Sequence, residues 1–208
     1  MKIGLLDCIV RWNSLLQKPF MTGRERRIYE RLLLDLGSRQ PLDIFEYGSG
    51  FSTLYFARFL RSKGIRFHID SMEHDRTWHL DIKHRIERAG LGQDVTLHLS
   101  EFIPGCTPPK TPQELHYVNG PRSRGKKFDL IVVDGRFRRC CLETAMSCLK
   151  PGGIVFLHDA ERTFYHAPLS RFKHSVFIDG GHHYPFEPRE HKIWLGSLDN
   201  GHIHHYTG

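Results

Sequence analysis

No C-x-x-C pair occurs among the five cysteines Cys8, Cys106, Cys140, Cys141 and Cys148, and their number is odd. That spacing speaks against a disulfide framework, and Cys141 and Cys148 are expected as small buried thiols on the inner face of a helix. Long apolar runs are also missing. Nothing approaches the about 18 consecutive apolar residues of a membrane helix, and the run at Ile3 to Leu6 is too short for a signal peptide, so a cytoplasmic protein is expected. The formal charge is +7, which permits acidic partners. Yet the basic residues are scattered over Arg24, Arg26 and Arg27, Arg122, Arg124, Lys126 and Lys127, and Arg136, Arg138 and Arg139. They lack the aromatic interleaving of a single-strand reader, and nucleic acid is not the expected partner. The fifteen histidines include His166 and His174, His182-His183, and His202, His204 and His205. None stands with paired cysteines at structural-zinc spacing, and no metal ligand is assigned.

What is present centres on Leu42-Asp43-Ile44-Phe45-Glu46-Tyr47-Gly48-Ser49-Gly50-Phe51-Ser52-Thr53. It reads as a short buried strand, a tight glycine turn and the start of an amphipathic helix whose free N–H groups face a ligand. Thr53 stands where the third glycine of a dinucleotide fingerprint belongs, and Glu46 precedes the first glycine by two positions. A carboxylate there disfavours a pyrophosphate and suits a cationic sulfonium with an amino-acid tail.

The rest of the 208 residues fits a single domain. Residues 1 to about 20 carry a helical stripe, and Thr22 offers an N-cap to a second helix ending at Gly37. After the glycine turn, Ile65 to Glu73 alternates as a strand ending in acid, placed to accept ribose hydroxyls, with Asp75 the second choice. Arg76 to Ala89 is a helix and Gln93 to Ser100 a third strand. Ser100 and Glu101 follow it, where adenine contacts fall in such a fold. Phe102 to Lys127, with five prolines, excludes long regular elements and is expected to be a lid or disordered. Phe128 to Gly135 is a buried parallel strand. Arg138 to Lys150 is its crossover helix, Pro151-Gly152-Gly153 breaks it, and Ile154 to Asp159 is a fifth strand. Ser175 to Ile178 and Lys192 to Gly196 add two strands, and the tail from His202 to Tyr206 is expected to be disordered. Trp78, Trp194, Tyr165 and Tyr184 are candidates for stacking on an acceptor.

The E-x-G-x-G turn followed by hydroxyl residues resembles motif I of class I S-adenosylmethionine-dependent methyltransferases. F-D-L-I-V-V-D-G, then L-K-P-G-G-I-V-F-L-H-D, resembles their fourth and fifth strands. The resemblance covers about residues 40 to 160 and implies an α/β Rossmann-like, doubly wound, mostly parallel sheet closed by an antiparallel strand pair. Residues 1–38 would cap the domain, 40–160 would bind cofactor, and 161–208 would supply the last strands and substrate loops.

The resemblance further implies that S-adenosyl-L-methionine lies against Glu46, Tyr47, Gly48, Ser49, Gly50, Ser52, Thr53, Glu73, His74 and Asp134. Asp134, His158 and Asp159 would face the transferred methyl, with Asp134 the first candidate base toward the hydroxyl of a small molecule or glycan. Some relatives hold magnesium with acids in the places of Asp134 and Asp159. Here Ala160 stands where they add a further ligand, so Mg2+ is the less favoured variant. The competing readings are an NAD-dependent oxidoreductase, an aminopropyltransferase-like enzyme and a non-catalytic binding module of the same fold.

Overall fold

The structure is a computed structural model and describes residues 18–105, 108–182 and 190–207. The helix expected over residues 1 to about 20, Cys8, Cys106, His183 and Tyr184 lie outside those residues.

Helix α1 (Gly23–Leu36) starts where Thr22 accepts the Glu25 N–H and the Glu25 carboxylate returns to the Thr22 N–H, a reciprocal cap. It leads into β1 (Leu42–Tyr47), α2 (Phe51–Ser62), β2 (Phe67–Glu73), α3 (Arg76–Arg88) and β3 (Val95–Leu99). Next come α4 (Pro112–Val118), β4 (Phe128–Val133), α5 (Arg138–Met146), β5 (Leu149–Leu157), β6 (His174–Gly181) and β7 (His191–Ser197). The sheet order is β3-β2-β1-β4-β5-β7-β6. Pairings among β1 to β5 are parallel, and β7 runs antiparallel to both β5 and β6. This is the doubly wound sheet with an antiparallel end, and the strand order reverses between β1 and β4.

Side chains of a strand alternate between faces. Ile44, Leu130, Val132, Ile154 and Phe156 therefore pack under α1, α2 and α3 with Leu32, Leu33, Leu54 and Leu60. Phe45, Tyr47, Ile131, Val133, Val155 and Leu157 face the other way and meet Tyr117 of α4 and Cys141 and Leu142 of α5. Cys141 on α5 and Cys148 in the turn after it are buried thiols, as expected, although Cys148 lies beyond the helix. At the end of the sheet opposite the glycine turn, Lys150 Nζ reaches Asp43 and Asp129, each at 2.7 Å.

Three expectations are corrected. Within the stretch after β3, residues 111–118 form neither a lid nor a disordered segment: Thr111-Pro112 and Glu114 close a capping box on α4, and Tyr117 is fully buried. The crossover helix stops at Met146 rather than Lys150, and β5 already starts at Leu149 and runs through Pro151-Gly152-Gly153 as an irregularity between Leu149 and Ile154. The tail is ordered in 3-10 turns over Gly201–Thr207. There Ile203 is fully buried and the Tyr206 hydroxyl donates to Asp35 at 2.5 Å. Three-residue periodicity puts both on one face.

Candidate active site

The register β1·β4·β5 sets Tyr47 opposite Val133 and Val133 opposite Leu157. The residues that follow, Gly48, Asp134 and His158, emerge together at the carboxyl ends of the three strands. By alternation Glu46 shares its face with Ile44 and so points beneath α2. It is 3 % exposed. Its carboxylate accepts from Ser52 Oγ (2.7 Å), Thr53 Oγ1 (2.5 Å) and Ser71 Oγ (2.7 Å). Burial, reinforced by nearby Asp134, outweighs those three hydroxyls and raises its pKa to about 7.

The turn above needs glycine for two reasons. Gly48 has φ +92°, and a Cβ there would stand 2.9 Å from the Cα of Gly135. Gly50 offers no side-chain cap to α2, its own N–H donates to Thr53 Oγ1 at 2.9 Å, and Phe51 and Ser52 of the first turn line the cleft. Trp78 Nε1 donates to the Ser49 carbonyl at 2.6 Å and pins the turn.

Across the cleft, Glu73 ends β2. Its Oε1 accepts from the His74 and Asp75 N–H groups at 2.7 and 2.9 Å and sits 2.7 Å from His74 Nδ1. The other oxygen, Oε2, takes no hydrogen bond from the described residues. The cleft between turn and strand tip measures about 600 Å3.

Below it lies a charge cluster. His158 is 4 % exposed. Its Nδ1 is 2.9 Å from Asp134 Oδ1 and its Nε2 is 3.4 Å from Glu25 Oε2. Burial alone would lower the imidazole pKa, but the two carboxylates raise it well above the ordinary value. For Asp134, burial is outweighed by His158, Arg138 and Arg162, and its carboxyl is held below the ordinary value. Arg138 lies between Asp134 (2.9 Å) and Asp159 (3.3 Å), and Arg162 adds a second guanidinium to Asp159 at 2.9 Å.

The cleft thus brings together Gly48, Ser49, Gly50, Ser52, Glu73, His74 and Asp134. Glu46, Tyr47, Thr53, His158 and Asp159 do not line it. Tyr47 is buried on the far face, where its hydroxyl donates to the Val118 carbonyl at 2.6 Å. Sequence reasoning missed Glu25 and Arg138. The sequence offered Thr22 as an N-cap without its partner Glu25, which closes the capping box and also faces His158. Arg138, the first residue of α5, follows Asp134 by four positions, and the bend at Gly135 to Phe137 turns it back onto that carboxylate. Trp194, a stacking candidate, is a core residue with no exposure.

An open α/β sheet with a polar cleft at its switch point, a glycine turn on one wall and an acid at the tip of β2 on the other, defines a Rossmann-like ligand-binding fold. Residues 45–160 match the sequence model of a family described as a methyltransferase domain, and the chain belongs to that family. No curated protein sequence matches the chain. Among solved structures, it is similar to an O-methyltransferase from Bacillus cereus in complex with SAH, at 15 % identity and TM-score 0.65 over 91 % of this chain and 88 % of that one. It is also similar to the O-methyltransferase TomG from Streptomyces achromogenes in complex with SAM, at 17 % identity and TM-score 0.61 over 90 % and 86 %. At these identities the likeness speaks for the fold. The class of methyltransferase expected from the glycine turn and the β4–β5 pattern is the class found.

Proposed function

We propose that this methyltransferase takes its methyl group from S-adenosylmethionine and transfers it to a hydroxyl of a small molecule or glycan. The observation that carries the reading is Glu73, which is fixed through Oε1 by two backbone N–H groups while Oε2 is left for a ribose. The glycine turn opposite puts no side chain at Gly48 and Gly50 into the cleft, where Phe51 and Ser52 begin α2, so the cleft fits an adenosyl ligand with an amino-acid tail. Gly48, Ser49, Gly50, Ser52 and Glu73 would hold it, with His74 beside the adenosine. Bound there, the cofactor would supply an electrophilic methyl carbon to the acceptor oxygen, with its sulfur as the leaving group.

Asp134 lines the cleft and is the group that takes the acceptor's proton; His158 and Arg138 keep it ionised and at the same time lower its basicity. His158 acts as a positioning residue, because both ring nitrogens face carboxylates. Asp159 balances the charge of Arg138. Glu46 acts from below, fixing the hydroxyls of Ser52 and Thr53 at the start of α2.

Atoms of Asp134, His158 and Asp159 come within 4.8 Å of one another, yet the set does not fit magnesium. Arg138 already bridges the two carboxylates as a resident cation, and Ala160 supplies no further oxygen ligand.

Calorimetric titration of protein dialysed against EDTA tests the reading. S-adenosylhomocysteine should bind, with affinity reduced about tenfold or more in Glu73→Ala (about 1.4 kcal/mol), and NADH should not. Binding of NADH alone would end the proposal. Loss of activity on chelation would restore the metal, and a product heavier by an aminopropyl group would reassign the reaction.

A further inference from the structure

Beside the cleft lies a second cavity of about 500 Å3, which shares Gly135, Arg136 and Arg138 with it. Its walls combine two chemistries. Phe137 and Tyr165 are mostly buried, whereas Phe164, tilted against the Tyr165 ring with centroids 5.2 Å apart, keeps 57 % of its surface exposed. Planar rings arranged this way suit a flat partner. The other chemistry is cationic.

Arg136, Arg138 and Arg139 all border the cavity, against one carboxylate, Glu143, among its described lining residues. Arg138 is neutralised by Asp134 and Asp159. Arg136 and Arg139 are exposed, and neither forms an ion pair with a carboxylate of the described residues. Arg136 reaches only the His74 ring, Nε to Nε2 at 3.4 Å, and its backbone N–H donates to the Tyr117 hydroxyl. Two guanidiniums on the rim of an aromatic cavity form an unmatched positive field, and guanidinium geometry suits carboxylate or phosphate oxygens.

We infer that the acceptor is a planar aromatic hydroxyl compound that carries an anionic group, with its ring against Phe164 and Tyr165 and its anion on Arg136 and Arg139. The inference rests on the cofactor reading of the adjacent cleft, because only then does a hydroxyl in this cavity border the methyl donor. It narrows the acceptor away from neutral glycans.

The test is calorimetry with two probes, 3,4-dihydroxybenzoate and catechol, titrated into protein saturated with S-adenosylhomocysteine. The acid should bind at least about tenfold more tightly than catechol, and more weakly as salt rises. Arg139→Gln should reduce the preference and its combination with Arg136→Gln should erase it, whereas Phe164→Ala should weaken both probes alike. Equal binding of the two probes, no binding of the acid, or a preference that survives both arginine changes would overturn the inference and leave the cofactor reading standing. Protein that fails to bind S-adenosylhomocysteine in the first titration would remove both.

Discussion

Glu46 is a buried carboxyl that the fold keeps from ionising. Its native pKa of about 7 exceeds the ordinary 4.5, so the folded state holds its proton more tightly than the unfolded chain. That contribution is full below pH 4.5 and is lost as pH rises through 7, on the order of 3 kcal/mol in all. Denaturant unfolding at pH 5 and pH 8 should show wild type losing stability by roughly that amount relative to Glu46→Gln. Parallel losses would show that Glu46 titrates normally. His158 has a dependence of the same sign. Its raised pKa means that its ion pairs stabilise the fold fully below the ordinary imidazole value and are lost as pH rises through the native one. Glu25→Gln removes one of its two carboxylates, and 15N NMR of the imidazole should report a lower His158 pKa in the variant. An unmoved titration would mean that the 3.4 Å approach carries no coupling. Glu73 and the glycines were legible in the sequence because their chemistry is local. Glu25 was not, since its partner His158 lies 133 positions away and only the sheet brings them together.

At the level of elements, the turn between β1 and α2 is built against the turn after β4, glycine to glycine. Gly48→Ala would force a side chain into a left-handed backbone conformation and within 2.9 Å of the Gly135 Cα. The expected loss is about 2 kcal/mol or more, read as a lower thermal midpoint. An unchanged midpoint would show that the two turns can separate. The strands were legible throughout, β4 most clearly, because burial on both faces leaves a continuous apolar run. Two boundaries were not. Pro151-Gly152-Gly153 reads as a terminator, but β4 pairs with Leu149 before the irregularity, so tertiary pairing overrode the local signal. The five prolines after β3 hid α4, whose proline occupies the first helical position, where no N–H is needed.

For the molecule as a whole, the last residues act as a fastening. Ile203 and Tyr206 are buried, and the Tyr206 hydroxyl donates to Asp35 of α1. Deleting residues 201–208 should cost about 2 kcal/mol or more, from the apolar surface returned to water, and should lower the denaturant midpoint. An unchanged midpoint would return the tail to the dispensable part of the chain. Its histidines disguised this role, because polarity dominates the composition and only two residues touch the core. Thr22 has a comparable reach: its hydroxyl donates to the Gly180 carbonyl on β6, while its backbone N–H is held by Glu25. Met21, the preceding residue, lines the cleft. The terminal hairpin and one rim of the proposed cofactor cleft therefore share a single mooring, and an engineer who trimmed that hairpin to admit bulkier acceptors would loosen the wall of that cleft as well.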